Sequence, residues 1–89
     1  MPVLRFTPNL QRHVECAEAT VEGTTVREAL EAYFELNEPS RGYIVDDQGQ
    51  LRRHMMVFVN GEPIDDRAGL SDPVEAQSEV YVVQALSGG

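Results

Sequence analysis

Lysine and tryptophan are absent from this 89-residue chain, cysteine occurs once, and no apolar run approaches the length of a membrane span. Each absence removes a class of protein. The lone Cys16 closes no internal disulfide, so nothing points to an oxidising compartment or a disulfide-stapled scaffold. A spanning helix needs about 20 mostly apolar residues, and the opening Met1-Pro2-Val3-Leu4-Arg5-Phe6 lacks the apolar stretch of a signal peptide. The chain therefore reads as cytoplasmic, with no membrane partner expected. Seven arginines stand against fifteen acids, giving a formal net charge of −8. Phosphate backbones are bound by clustered positive charge, so a nucleic-acid partner is not expected either. An acidic chain that docks would seek a basic face on a protein. Coding bias towards arginine explains the missing lysine, yet the absence has a chemical side. A chain whose own carboxylate is activated would acylate any accessible side-chain amine, and this one carries none.

What is present fits a single domain: 42% apolar and 25% charged residues suit a globular fold rather than disorder. Residues 3–7 alternate and predict a first strand with Leu4 and Phe6 inward. A second extended stretch is expected over roughly residues 14–22, with Ala19 and Val21 inward, ended by Gly23. Thr25-Val26-Arg27-Glu28 matches a capping box, in which threonine and glutamate satisfy backbone donors reciprocally. Apolar residues at 26, 29, 30, 33, 34 and 36 then trace a helical stripe, with Glu28, Glu31 and Glu35 on the wet side. Asn37-Glu38-Pro39 ends it. Tyr43-Ile44-Val45 and Leu51-Arg52-Arg53 are expected as short strands about the turn Asp46-Asp47-Gln48-Gly49. Met55-Met56-Val57-Phe58-Val59 is a strand closed by Asn60-Gly61. Residues 62–78 are expected as loop with a brief turn of helix, and residues 79–86 as the last strand. One helix in a strand-rich chain should cross one face of a mixed sheet, with the last strand beside the first.

That last strand leads through Ser87 to Gly88-Gly89. Two residues without a β-carbon make a thin, mobile peptide. Its carboxylate can enter a narrow channel on another protein and react there. Other sites are weaker. His13 and His54 have no cysteine or carboxylate at ligand spacing, so no metal site is expected; His54 reads as lying on a strand face. Cys16 has no neighbouring base and reads as structural. Asp46-Asp47 and Asp65-Asp66 read as solvent-facing loop acids, and the chain has no phosphate-cradling glycine loop.

The segment Leu51-Arg52-Arg53-His54, the run Val57-Phe58-Val59-Asn60-Gly61-Glu62 and the end Ala85-Leu86-Ser87-Gly88-Gly89 together resemble the ThiS/MoaD family of ubiquitin-like sulfur carriers. Thr25-Val26-Arg27-Glu28-Ala29-Leu30 shares that look, and the long hairpin before Met55 is most similar to carriers that feed cysteine biosynthesis. The resemblance implies an α+β, ubiquitin-like β-grasp domain over residues 1–86, with a mixed sheet of four to five strands and one main helix packed across one face. A flexible tail, residues 87–89 with Ser87 and Gly88 leading to Gly89, would follow. It further implies a carrier or co-substrate rather than an enzyme. An E1-like adenylating enzyme, using ATP and magnesium that this chain does not itself bind, joins AMP to the carboxylate of Gly89. A sulfur donor, usually a persulfide enzyme, displaces AMP to leave a thiocarboxylate, which a sulfur-accepting biosynthetic enzyme consumes. Two departures from the family pattern stand out. Ala76-Gln77-Ser78-Glu79-Val80 replaces Asp-Gly-Asp-Glu-Val, so the turn there is expected to differ. Gln84 stands where many relatives have proline, so the tail should leave the sheet less stiffly.

Strand parity places Met56, Phe58, Tyr81 and Val83 together on the face opposite the valines Val57, Val59, Val80 and Val82. With the helix covering the valine side, those four form an open apolar patch, a partner-docking surface by its composition and by the family's habit. Burial under the 43–53 hairpin is the competing outcome. Two other functions share these features: a ubiquitin-like modifier joined through Gly89 to target lysines, and an interaction subunit whose tail is never activated.

Overall fold

Residues 1–6 and 18–84 are described by the computed structural model. The alternation at the start becomes β1 (Val3–Phe6), with Leu4 and Phe6 buried and Arg5 exposed. β2 (Ala19–Thr20) pairs antiparallel with it, Val3 opposite Thr20. Val21 is buried just beyond, and Ala19 packs against the core. The expected strand residues 14–17, like Cys16, His13 and Thr7, lie outside the described residues. Gly23, at φ 154°, sits so close to the following helix that a β-carbon would stand 2.7 Å from the Ala29 nitrogen.

The main helix α1 (Val26–Leu36) begins on Thr25, whose hydroxyl accepts from the Glu28 amide at 3.2 Å. Glu28 does not return the bond to Thr25. Its Oε1 instead accepts from the backbone N–H (2.8 Å) and hydroxyl (3.0 Å) of Thr24, one residue further back. These bonds hold the Glu28 carboxyl below its ordinary range. Val26, Ala29, Leu30, Tyr33 and Phe34 are buried, but Leu36 is 72% exposed on the last turn.

The helix stops at Asn37, yet the chain does not become extended. A 3₁₀ turn (Glu38–Ser40) with Pro39 near its start leads directly into one helical turn, α2 (Arg41–Ile44). The Ser40 hydroxyl donates to the Asn37 carbonyl at 2.7 Å, and Arg41 pairs with Glu31 on α1 while lying over the Phe34 ring. These contacts, with the reach of Arg41 back to α1 among them, override the strand propensity of Tyr43-Ile44-Val45. What survives of the expected hairpin is a single antiparallel bridge between Val45 and Leu51, around a turn capped by Asp46.

β3 (Met55–Val59) runs into Asn60 (φ 53°) and Gly61 (φ 86°), both in the left-handed region that a tight hairpin turn demands. The strand after it, β4 (Glu62–Pro63), falls where sequence suggested loop. Proline is compatible with it because β4 is the sheet edge, where a missing N–H costs no ladder bond. The 64–78 segment is turn and loop without a helix. β5 (Glu79–Gln84) then completes a five-stranded sheet of order β2-β1-β5-β3-β4. β1 and β5 are parallel neighbours at its centre, and the other pairs are antiparallel. α1 covers one face, where Leu4, Phe6, Met55, Val57, Val80 and Val82 meet its buried stripe; the Phe6 and Tyr33 rings pack in a tilted arrangement with centres 4.9 Å apart. Among the described residues, no helix is long and apolar enough to cross a membrane.

Candidate functional site

β3 and β5 are antiparallel neighbours, so side chains that share a face also share a register. Met56 lies opposite Val83 and Phe58 opposite Tyr81. All four point away from α1. Met56 is 38% and Tyr81 41% exposed, while Phe58 and Val83 are half-buried against their neighbours. The hairpin at 43–53 does not bury this face. A shallow groove runs across it, lined by Phe58, Asn60, Gly61, Glu79, Tyr81 and Val83. Polar contacts fix its end: the Asn60 side chain accepts from the Glu79 N–H at 3.0 Å, and Arg5 bridges Glu79 and Glu18 at 3.6 and 3.1 Å. Exposed aromatic and methionine side chains on a rigid sheet offer a partner large contact area without side-chain rearrangement.

The register also fixes where the chain leaves the sheet. Gln84, the last residue of β5, pairs with Met55, the first of β3. Residues 85–89, including the expected tail Ser87, Gly88 and Gly89, lie outside the described residues. The departure point therefore lies beside Arg53 and His54, which form the turn into β3. His54 is exposed in that turn rather than on a strand face, because the strand begins one residue later.

Three features have roles that were not assigned from sequence. Arg27 reaches from the first turn of α1 into two distant loops, donating to the carbonyls of Gly69 (2.8 Å), Gly49 (3.0 Å) and Ala68 (3.2 Å). Asp66 organises the second of those loops. It accepts from the Gly69 N–H at 2.7 Å and the Ser71 hydroxyl at 2.6 Å, bracketing Leu70, which is buried at φ 55°. The Ser71 hydroxyl and then the Gly69 amide hold its carboxyl below the ordinary range. Asp72 in turn accepts from the Asp65 and Asp66 amides, so the pair read as idle loop acids lies within a bonded knot. Finally, Arg52, Arg53 and Arg67 line one open concavity with His54. Charge clustering could have hinted at that set. Arg27's role could not be read locally, since its partners lie 22 to 42 residues away. In the turn before β5, Ser78 is buried, and its hydroxyl accepts from the Glu75 amide at 2.8 Å.

The fold recurs in proteins of known structure. SAMP1 from Haloferax volcanii superposes with a TM-score of 0.78 at 24% identity, over 99% of this chain and 98% of that one. A BexX/CysO complex from Amycolatopsis orientalis gives 0.82 at 19% identity, with both chains fully covered. CysO from Mycobacterium tuberculosis gives 0.80 at 17% identity, over 97% and 100%. At these identities the likeness establishes the ubiquitin-like β-grasp architecture. No curated protein matches in sequence. The ThiS family model, however, matches residues 10–89, most of the helix, sheet and loop framework and the terminal glycines with it, and the chain accordingly belongs to the ThiS family.

Proposed function

We propose that this chain is a sulfur carrier, with Gly89 as the reacting residue and the body of the domain as its handle. The family match, running through residue 89, is the observation that carries this reading. The open groove on β3 and β5 supports it, because Tyr81 and Val83 lie on the strand that leads to the terminus and Met56 and Phe58 lie opposite them on its neighbour. In the proposed chemistry an oxygen of the Gly89 carboxylate attacks the α-phosphorus of ATP, held with magnesium by an E1-like partner, and pyrophosphate leaves. A persulfide sulfur then attacks the acyl carbon and AMP departs with the bonding pair. A thiol cleaves the resulting acyl disulfide, leaving the thiocarboxylate for a sulfur-accepting biosynthetic enzyme. The chain supplies no catalyst; it holds the carboxylate on a narrow, β-carbon-free terminus and presents a recognisable face. The CysO structure was obtained with BexX bound, which supports the expectation of a dedicated protein partner.

The likeness to SAMP1, a small archaeal modifier protein, favours a second reading in which Gly89 ends as an amide on target lysines. Intact-protein mass after incubation with an adenylating enzyme, ATP-magnesium and a sulfur donor tests the first. Exchange of one oxygen for sulfur, absent when Gly89 is deleted, is the expected result. Conjugates to lysine without a thiocarboxylate pool would support the modifier instead, and no change with cognate enzymes would reject both.

A further inference from the structure

In a chain with fifteen acids to seven arginines, most arginines should find a carboxylate. Arg5, Arg27 and Arg41 do, with Glu18, Glu79 and Glu31. Arg52, Arg53 and Arg67 do not: among the described residues none of the three forms an ion pair. They line one concavity together with His54, and among the described residues the only acid in its wall is Asp46. Its Oδ1 accepts from the amides of Gln48 and Gln50, which does not cancel the carboxylate's charge, but it forms no ion pair with the three arginines. Two of the guanidinium groups are held by neutral backbone. Arg52 Nε donates to the Gly42 carbonyl at 2.6 Å, and Arg67 Nη2 donates to the Arg52 carbonyl at 2.9 Å. A carbonyl orients a guanidinium without cancelling its charge. The arrangement thus gathers three cations against one carboxylate around a single concavity, with two of the guanidiniums held in place, on a molecule that is otherwise strongly negative.

We propose that Arg52, Arg53 and Arg67 form a binding site for a small multivalent oxyanion, phosphate or pyrophosphate. Guanidinium forks match phosphoryl oxygens bidentately, and a di- or trianion balances three cations where one carboxylate would not. Besides His54 and the three arginines the concavity is lined by Asp46, Gln50, Leu51 and Ala68, so among the described residues no Phe, Tyr or Trp adds a broad stacking face. Recognition there rests on the anion's charge. It stands whether or not Gly89 carries sulfur, since it concerns the folded body only.

The test is a titration of the full chain with inorganic phosphate, pyrophosphate and AMP at constant ionic strength, following the arginine Nε–H resonances by NMR. Saturable shifts are expected at Arg52, Arg53 and Arg67 but not at Arg5 or Arg41, with pyrophosphate tighter than AMP. Arg53→Gln removes a side chain with no partner among the described residues, so its melting temperature should match the parent. A surface ion pair contributes up to about 1 kcal/mol, so this variant should bind pyrophosphate up to about fivefold more weakly. Uniform, unsaturable drift at all arginines would overturn the proposal. So would tightest binding of AMP, unaltered affinity in Arg53→Gln, or saturation by a glutamate-rich peptide where phosphate and pyrophosphate fail.

Discussion

Replacing Arg27 by methionine keeps the aliphatic stem and removes the guanidinium that ties α1 to two loops. Three backbone carbonyls, of Gly49, Ala68 and Gly69, lose a charged donor in one step. A hydrogen bond to a charged group contributes about 1.5–3 kcal/mol when desolvated. The Arg27 side chain is 37% exposed, so water recovers much of each loss, and about 0.5–1 kcal/mol per bond is a fairer figure. The nearby pair with Glu31, at 3.7 Å and exposed, adds little. The sum is about 2 kcal/mol. For a domain of this size each kcal/mol lowers the melting temperature by about 4–8 °C, so Arg27→Met should melt roughly 10 °C early. Arg27→Lys should recover only part of this, because one ammonium cannot span three carbonyls on separate loops. Circular dichroism melts and urea titrations measure the shift. Amide exchange should accelerate first at Gly49, Leu51 and Leu70, whose N–H groups bond within or between the tethered loops. A melting shift below about 2 °C, with exchange unchanged at those amides, would refute the reasoning.

Gly23→Ala should be as costly by another route. The added methyl meets the Ala29 nitrogen at 2.7 Å and the Glu28 carbonyl carbon at 3.0 Å, and overpacking against backbone costs about 1–3 kcal/mol, readable in the same urea titration. Tyr81→Ser should leave stability within about 1 kcal/mol, as an exposed cross-strand substitution does. It should nevertheless slow activation by the adenylating partner at least tenfold if the groove is the docking face, measured as kcat/KM for the carrier. Acid stability depends on Glu28 and Asp66, both with carboxyl groups held below their ordinary range in the folded state by bonds to Thr24 and to Ser71 and Gly69. A depressed folded value means their stabilisation is complete above the unfolded values and is lost as pH falls through the folded ones. Glu28→Gln and Asp66→Asn should therefore flatten the acid limb of the stability–pH curve and leave its slope near neutrality unchanged.

The fold was legible wherever a short period coincided with burial. Leu4 and Phe6, the stripe on α1, and the alternation in β3 and β5 all report a face turned towards one core. Asn60-Gly61 reports a turn that only such residues adopt readily. Parity alone also located the face carrying Phe58 and Tyr81. Legibility failed where distant contacts decided the local state. Ile44 belongs to a helical turn because Arg41 reaches Glu31 and Phe34. Leu36 joins the apolar stripe in period but not in burial. Pro63 argued against a strand, and the edge position that tolerates it is visible only once the sheet order is known. The arginine cluster shows the same limit: Arg52 and Arg53 are neighbours in sequence, but Arg67 joins them through bonds across 14 to 16 residues, to the Arg52 and Arg53 carbonyls and from the Leu51 amide.

The position of β5 bears on biosynthesis. The last strand to be made is the middle one, seated between β1 and β3. Until it emerges from the ribosome, β1 with β2 and β3 with β4 are two separate hairpin-like pieces with no shared ladder, and the core residues Val80 and Val82 are missing. Such long-range pairing cannot form early. A chain cut short before residue 79 would expose its apolar residues and be open to proteolysis, while one that folds has been translated through the strand that joins the two pieces. Formation of the core and arrival of Tyr81 and Val83 beside Phe58 and Met56 are thereby made the same event.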